Sequence, residues 1–286
     1  DRRTQGEGGV NIDDLPPLRE TLAAHDLLAR KSFGQHFLLD LNVTRKIVRL
    51  AQPLDGVVIE VGPGPGGLTR ALLEAGCKVV AVEKDARFLP LLAELAEAAD
   101  GRLKVIEADA LGVDEAALAG EGSAHVVSNL PYNVGTPLLV KWLTGPFTPA
   151  SMTLMFQKEV ADRIAAPAGD DDYGRLSVLV QALCRAEVVM DLPARAFTPP
   201  PKVASAVVKL TPLPERPAKP LIAALERVTA AAFGQRRKML RSSLRKLGGE
   251  ALCAAVGIDP SVRAETVSVE GFLRLASAAA AWPTPT

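Results

Sequence analysis

A run of glycines and prolines over residues 60–67 has the residue types of a ligand-binding loop. The segment reads EVGPGPGG and lies between a predicted strand and a predicted helix. Glycine lets the backbone approach a ligand closely, and the unpaired N–H groups of a helix N-terminus attract negative charge. Glu83, at the end of the next predicted strand, lies 21 residues after Gly62 and can accept hydrogen bonds from both hydroxyls of a ribose. The pattern predicts a site for a nucleoside-containing cofactor.

The spacing of the glycines fits two cofactor classes. Gly62, Gly64 and Gly67 match the dinucleotide pattern G-x-G-x-x-G. Gly62, Gly64 and Gly66 match the E-x-G-x-G-x-G loop of methyltransferases that use S-adenosylmethionine (SAM). Asp109 follows the third predicted strand, where a carboxylate can accept a hydrogen bond from an adenine amine. Asp109 therefore favours SAM, although an Asp after a strand is also a common turn residue.

The sequence Asn129-Leu130-Pro131-Tyr132, at the end of the fourth predicted strand, suits a reaction at an aromatic amine. The exocyclic amine of adenine is a poor nucleophile because its lone pair is delocalised into the ring. The Asn129 side-chain oxygen and the Leu130 carbonyl can accept both N–H groups and favour a tetrahedral nitrogen aimed at an electrophilic methyl group. Pro131 fixes the backbone, and Tyr132 offers a flat surface for a base. The alternative is a turn before proline with a packed tyrosine.

A second aromatic residue lies in a stiff loop, FTPPPK over residues 197–202. Phe197 can form the other wall of a base sandwich with Tyr132, and Lys202 can contact a phosphate. Packing of Phe197 against the prolines is the alternative.

A basic string suits contact with a polyanion. Residues 235–241 read QRRKMLR and are predicted to open a helix on which Arg237 and Arg241 share one face. The surrounding residues 195–247 hold 12 Lys and Arg against 2 Asp and Glu, whereas residues 51–128 hold 6 against 13. This asymmetry, hidden in a net charge of zero, predicts a bound nucleic acid. The residues predicted to contact this nucleic acid are Lys202, Arg236, Arg237, Lys238 and Arg241.

Composition excludes several other classes of protein. Hydrophobic residues make up 48% of the 286 residues and charged residues 23%, which is typical of a globular chain. The three cysteines are widely spaced and form no C-x-x-C pair, so we expect a reducing compartment rather than a disulfide scaffold. The three histidines lack metal-ligand spacing, and no apolar run is long enough for a membrane span. We expect a cytoplasmic, monomeric protein with no metal and no membrane contact.

Alternating short apolar runs and helical patterns predict an α/β fold with a parallel sheet covered on both faces. Residues 1–20 lack such a pattern and are predicted to form a flexible tail, followed by a catalytic domain over residues 21–212. Residues 211–220 contain four prolines and are predicted to form a linker. Residues 221–286 are predicted to form a smaller all-helical domain, with one helix over residues 236–247.

The chain resembles the ribosomal RNA adenine N6-dimethyltransferases, specifically the bacterial enzymes that modify the small subunit. The resemblance spans about residues 29–269 and includes the loop at residues 60–67 and the sequence at residues 129–132. Further motifs are FGQHFL at 33–38, FQKEV at 156–160, YGRLS at 173–177, FTPPPK at 197–202 and FGQRR at 233–237. Two positions depart from the family pattern: His36 stands where Asn is common, and Glu107-Ala precedes Asp109 where Gly or Gln is usual.

The resemblance implies a Rossmann-like SAM-dependent methyltransferase domain and a smaller helical RNA-binding domain. It implies dimethylation of two adjacent adenines near the 3′ end of 16S rRNA within the maturing small ribosomal subunit. The family's cofactor contacts fall here on His36, Leu38, Gly62, Glu83, Asp109 and Asn129, to which the loop spacing adds Gly64.

Three other functions are compatible with parts of the sequence. The glycine spacing also allows a nicotinamide-dependent oxidoreductase, although no residue pattern for hydride transfer accompanies it. A ribosome-assembly factor would need binding more than catalysis. A DNA adenine methyltransferase would use the same Asn-Pro-aromatic chemistry.

Overall fold

The computed structural model describes residues 11–27 and 36–282, and these residues divide into two compact units. The first unit ends at Gln157 and resumes over Val189–Lys209. The second comprises Lys158–Val188 and the residues from Leu210 onward. The boundary after Val188 and the boundary after Lys209 each fall within a strand.

The first unit alternates helices and strands. Its elements are α1 (Leu18–Ala24), α2 (Leu41–Ala51), β1 (Val57–Val61), α3 (Gly67–Glu74), β2 (Lys78–Glu83), α4 (Leu89–Ala98), β3 (Leu103–Glu107), α5 (Glu115–Ala119), β4 (Ala124–Asn129), α6 (Gly135–Thr144) and β5 (Ser151–Gln157), followed by parts of β6 (Cys184–Leu192) and β7 (Ser205–Pro212).

The elements of the second unit are mainly helices. They are α7 (Lys158–Ala165), α8 (Arg175–Leu183), α9 (Lys219–Gly234), α10 (Leu240–Ser243), α11 (Gly249–Ala255) and α12 (Val269–Ala281). Their buried side chains form one apolar cluster that includes Val228, Phe272 and Leu275. The helical C-terminal region is therefore confirmed.

The seven strands form one sheet in the order β3-β2-β1-β4-β5-β7-β6. β1 pairs in parallel with β2 and β4, β2 with β3, and β4 with β5, which confirms the predicted parallel pairing for these five strands. The chain leaves β1 toward β2 on one side and returns through β4 on the other. The carboxyl ends of β1 and β4 thus flank the point where the strand order reverses, the usual ligand crevice of such sheets.

Helix α2 shows how local sequence sets these elements. The side chain of Asp40 accepts a hydrogen bond from the backbone N–H of Asn42 at 2.8 Å and caps the helix. Its buried residues recur at helical spacing and face the core: Thr44, Ile47, Val48 and Ala51.

The division into units differs from the linker boundary that the prolines indicate. Helices α7 and α8 belong with the C-terminal helices, because Tyr173 and Val178 are fully buried in the same cluster as Val228 and Phe272. β7 continues through Pro212 and α9 begins at Lys219, so the irregular connection is shorter than the ten residues 211–220.

The N-terminal residues also differ from the pattern-based prediction. Of residues 1–20, those from 11 onward are described, and they include a short 3-10 turn at Ile12–Asp14 and the start of α1. Ile12 and Leu18 are buried, and a guanidinium N–H of Arg70 donates to the Pro16 carbonyl at 2.7 Å. Two apolar residues are too few to produce a recognisable period, yet they suffice to anchor this segment.

The predicted helix over residues 236–247 is wrong. Helix α9 ends at Gly234, the next residues form a turn, and only Leu240–Ser243 is α-helical. Met239 is extended and bridges Arg263, and the N–H of Leu240 donates to the Val262 carbonyl at 2.8 Å. Because these groups pair with a distant segment rather than with carbonyls four residues back, the helix cannot form. Arg237 and Arg241 therefore do not share the face of one helix, contrary to the prediction.

Candidate active site

The loop over residues 62–66 turns sharply at the carboxyl end of β1. Gly62, Gly64 and Gly66 all have positive φ angles, +66°, +53° and +91°, which favour glycine. At Gly67 a Cβ atom would lie 2.4 Å from the backbone oxygen of Leu38, so the close approach of these two segments also requires glycine. The loop is thus shaped by its own sequence before any ligand binds.

Glu83 holds this loop against the end of β2. One carboxylate oxygen, Oε2, accepts the N–H of Gly64 at 3.0 Å, and Oε1 accepts the N–H of Asp85 at 2.8 Å. Burial raises the pKa of Glu83, while the two N–H groups oppose that rise. Each carboxylate oxygen can accept more than one hydrogen bond, so Glu83 retains capacity for ligand hydroxyls.

Glu60 is a buried carboxyl beside the same loop. Only 1% of its surface is exposed, and Oε2 accepts the hydroxyl of Thr69 at 2.6 Å. Burial raises the pKa of Glu60 to about 8, and this hydrogen bond opposes the rise. Glu60 is thus largely protonated at neutral pH.

The end of β4 is fastened to the end of β1. The hydroxyl of Ser128 donates to the carbonyl of Val61 at 2.6 Å. Consequently Asn129 and Gly62, which follow Ser128 and Val61, lie at neighbouring strand ends. The Asn129 carboxamide makes no hydrogen bond to any other residue that the structure describes. It is left available to a ligand.

A cavity of about 440 Å³ lies at these strand ends and gathers most of the predicted site residues. Its lining includes ten of them: His36, Leu38, Gly62, Gly64, Glu83, Asn129, Leu130, Pro131, Tyr132 and Phe197. Phe33, Gly34 and Gln35 of the motif at residues 33–38 lie outside the described residues.

Two aromatic residues of the cavity differ in how much surface they offer. Tyr132 is partly exposed, and its ring stacks on that of His36 at 6.2 Å between centroids and 30° between planes. Phe197 is only 2% exposed and packs among core residues that include Leu38 and Val207. The base sandwich between Tyr132 and Phe197 stays a prediction, with little of the Phe197 ring available to form it.

Asp109 is absent from the lining of this cavity. Its Oδ2 accepts the Lys84 ammonium at 2.8 Å, and its Oδ1 accepts the N–H of Leu111 at 3.0 Å. These contacts lower the pKa of Asp109, the Lys84 hydrogen bond most strongly. The adenine contact expected of Asp109 therefore stays a prediction. An adenine amine would compete with the Lys84 ammonium for the Asp109 carboxylate.

The remaining predicted RNA contacts differ in exposure. Lys202, in the first unit, is exposed, as are Arg237, Lys238 and Arg241 in the second unit. Arg236 is instead engaged within its own unit, because it donates to the Asp171 carbonyl at 2.6 Å and pairs with Glu265 at 3.5 Å. Arg236 thus has a structural role that the basic string conceals.

Sequence reasoning missed several residues of the cavity wall. Asn133 follows the motif at residues 129–132 directly and is exposed at the cavity, so its position beside Tyr132 was a usable signal. Phe88 also lines the cavity but belongs to no motif. The only sequence signal for it is that aromatic residues make up just 4% of the chain. Leu68 also lines the cavity and directly follows the predicted loop at residues 60–67. The remaining lining residues fall within that loop or the motif at residues 33–38: Phe37, Glu60, Pro63, Pro65 and Gly67.

The cavity fits a nucleoside cofactor such as SAM. Its volume lies within the range of roughly 300–1,000 Å³ typical of small-molecule sites. The glycine loop permits close backbone approach, and Glu83 offers carboxylate acceptors at the strand end. The cavity thus contains a carboxylate of the kind that binds ribose hydroxyls and, at Asn129, a carboxamide oxygen able to accept an amine N–H.

No helix among residues 11–27 and 36–282 is both long and apolar enough to cross a lipid bilayer.

Comparison with solved structures supports the fold assignment. A dimethyladenosine transferase from Plasmodium falciparum superposes with a TM-score of 0.68 at 24% identity, covering 84% of this chain and 96% of that one. The 23S rRNA methyltransferase ErmE gives a TM-score of 0.65 at 28% identity, covering 85% and 98%. These neighbours confirm the Rossmann-like methyltransferase fold.

Sequence comparison identifies the family. The chain is 72% identical over 252 residues to the ribosomal RNA small subunit methyltransferase A of Caulobacter vibrioides, covering 88% of this chain and 97% of that protein. It is 68% identical over 270 residues to the protein of the same name from Phenylobacterium zucineum, covering 94% of each. The family model described as ribosomal RNA adenine dimethylase matches residues 27–281. This chain therefore belongs to the ribosomal RNA adenine dimethylase family.

Proposed function

We propose that this chain transfers methyl groups from SAM to the N6 amines of two adjacent adenines near the 3′ end of 16S rRNA, in the maturing small ribosomal subunit. The observation that carries this proposal is the placement of the unpaired Asn129 carboxamide in one cavity with Gly62 and Glu83. Family membership supports an adenine of ribosomal RNA as the substrate and SAM as the methyl donor.

Asn129 and Leu130 activate the adenine amine. The Asn129 side-chain oxygen and the Leu130 carbonyl each accept one N–H, which withdraws the nitrogen lone pair from the ring and aims it into the cavity. Pro131 has a fixed φ and keeps the Leu130 carbonyl in place. Tyr132 stacks on the face of the base, which must leave its helix to reach the cavity.

The same cavity would hold the cofactor, since its lining includes His36, Leu38, Gly62, Gly64 and Glu83. Glu83 would accept the ribose hydroxyls, and the loop at Gly62 and Gly64 would lie against the nucleoside. Asp109 would accept the cofactor's adenine amine through the oxygen that accepts Lys84 in this structure. When bound, SAM supplies a methyl group on a positively charged sulfur, which is the electrophile for in-line displacement.

No strong protein base is required. Bond formation to carbon makes the adenine nitrogen a strong acid until it loses its extra proton, which leaves to water. Glu60, with a pKa of about 8, is largely protonated at neutral pH and has no role as the acceptor. The residues of the cavity act by positioning and by charge.

The exposed cations bind the phosphates of the RNA. Lys202 lies in the loop that follows Phe197, and Arg237, Lys238 and Arg241 lie around the turn between α9 and α10. Such contacts position the substrate without reading its sequence. Arg236 contributes by holding that turn to Asp171 and Glu265.

We propose that the protein acts in the cytoplasm, which a ribosomal substrate supports, and that it acts there as a monomer. Fractionation of cells and light scattering of the purified chain test these two points separately.

Mass spectrometry of the RNA tests the proposed function directly. Purified protein and SAM are incubated with small subunits that lack the modification, and the 16S rRNA is digested and analysed. We expect two methyl groups on each of two adjacent adenines near the 3′ end. Unmethylated adenines, or methylation confined to duplex DNA offered in parallel, would contradict the proposal. Calorimetry with SAM and with NAD separately tests the choice of cofactor.

A further inference from the structure

The phenol of Tyr132 is bonded inside the protein. Its Oη lies 2.9 Å from Oγ of Ser205, the first residue of β7, whose side chain is fully buried. Neither hydroxyl has another hydrogen-bond partner among the residues described. The Tyr132 hydroxyl therefore anchors the ring to the first residue of β7.

The ring of Tyr132 has a second support. The His36 imidazole stacks on it, 30° from parallel, and His36 Nδ1 donates to the Pro199 carbonyl at 2.7 Å. Phe37 and Thr198 exchange two backbone hydrogen bonds, at 3.0 and 2.9 Å, which fix the segment bearing His36. Tyr132 is thus held at its hydroxyl by Ser205 and on its ring by the His36 imidazole. His36 is in turn held by its hydrogen bond to the Pro199 carbonyl.

We propose that Ser205 is a positioning residue for methyl transfer, which rests on the function proposed above. Ser205 contacts no reacting atom. The hydrogen bond between Ser205 and the phenol fixes the orientation of the Tyr132 ring. A base stacked on that ring lies parallel to it and so takes the same orientation. Because displacement needs the amine in line with the methyl group, a misplacement near 1 Å slows such reactions by up to about 100-fold.

Two substitutions remove this bond from opposite ends. Ser205→Ala deletes the serine hydroxyl of this pair, and Tyr132→Phe deletes the phenol hydroxyl while keeping the ring. Each is expected to lower kcat about tenfold on unmethylated small subunits, with the affinity for SAM unchanged by calorimetry. The double variant is expected to be no slower than either single variant, because both break the same contact.

Ser151→Ala is the matched control. Ser151 is also a buried serine at the start of a strand, and its Oγ bonds His125 Nδ1 at 2.7 Å. It lies at the other end of the β4–β5 ladder from Asn129, since Ser151 pairs with His125 and Met155 with Asn129. We expect normal kcat from this variant and a fall in unfolding temperature similar to that of Ser205→Ala.

The outcomes separate the inference from the function on which it rests. A Ser205→Ala variant with wild-type kcat, or a double variant whose loss equals the product of the single losses, overturns the role of Ser205. The same holds if the loss of kcat follows a loss of SAM affinity. A wild-type protein that transfers no methyl group overturns the proposed function itself.

Discussion

The backbone N–H of Gly64 donates to Oε2 of Glu83 over 3.0 Å, which joins the glycine loop after β1 to the end of β2. A sharp loop and an acidic residue 19 positions apart thereby form one wall of the cavity. The loop contributes shape, and the carboxylate anchors the loop and is the group we propose to bind the cofactor.

Glu83→Gln is expected to weaken SAM binding about 10- to 100-fold, since an amide retains one acceptor oxygen and replaces the other with a donor. Calorimetry with SAM measures the change. Glu97→Gln, an exposed position on α4, is the control and should bind SAM normally. Equal affinity in the two variants would remove Glu83 from the cofactor site.

Asn129→Ala is expected to lower kcat about 100- to 1,000-fold, the usual loss when one precisely aimed polar group at a reacting centre is deleted. SAM affinity should change less than about threefold, because the glycine loop and Glu83 remain. Single-turnover methylation of unmethylated small subunits measures the rate. Asn42→Ala, at an exposed position on α2, is the control. Near-normal turnover by the Asn129→Ala variant would contradict the proposed activation of the amine.

Glu60→Gln is expected to flatten the pH dependence of stability. The pKa of Glu60 is about 8 in the folded chain and about 4.5 in the unfolded one, so the folded state keeps a proton that the unfolded state releases. Stability from this group is therefore greatest below pH 4.5 and declines as pH rises toward 8, by at most about 1.4 kcal/mol per pH unit.

Urea unfolding of wild type and Glu60→Gln at pH 5.5 and 7.5 measures this decline. The variant keeps the acceptor for Thr69, so its stability should exceed that of wild type more at the higher pH. Glu121→Gln is an exposed control. A constant difference between Glu60→Gln and wild type across the two pH values would show that Glu60 does not titrate in this window.

Arg237→Ala is expected to affect RNA binding, whereas Arg236→Ala is expected to affect the stability of the fold. Arg237 is exposed, so its loss should weaken RNA binding and reduce the slope of log affinity against log salt by about one. Arg236 bonds Asp171 and Glu265, so its loss should cost about 1 kcal/mol of unfolding free energy and leave the salt slope unchanged. Filter binding over a salt series and urea unfolding measure the two effects; identical behaviour would contradict this division.

Strands β1, β2, β4 and β5 were predictable because each is a short, largely buried apolar run of ordinary length. Helix α12 was predictable from local sequence, because Ser268 caps it and its apolar period is continuous. The cavity was predictable because parallel strands bring their carboxyl ends to one edge, so Gly62, Glu83 and Asn129 had to lie close together.

Other features depend on contacts between distant segments, which no local pattern records. The turn before α10 follows from the pairing of Met239 with Arg263, and the packing of α7 with the C-terminal helices follows from burial of Tyr173. The bond of Lys84 to Asp109 and that of Tyr132 to Ser205 join residues 25 and 73 positions apart. Neither bond is predictable from local sequence, because each depends on how the chain folds.

The bond between His36 and Pro199 joins residues 163 positions apart, and the bridge between Phe37 and Thr198 lies beside it. During synthesis the chain emerges from its N-terminus, so the glycine loop and Asn129 are made well before Pro199 exists. The wall formed by residues 36–38 therefore gains its lasting support only after the loop at residues 197–199 has emerged. A nascent chain stalled before that loop has most of the sheet but lacks the finished cavity, and its ability to retain SAM should appear late in translation.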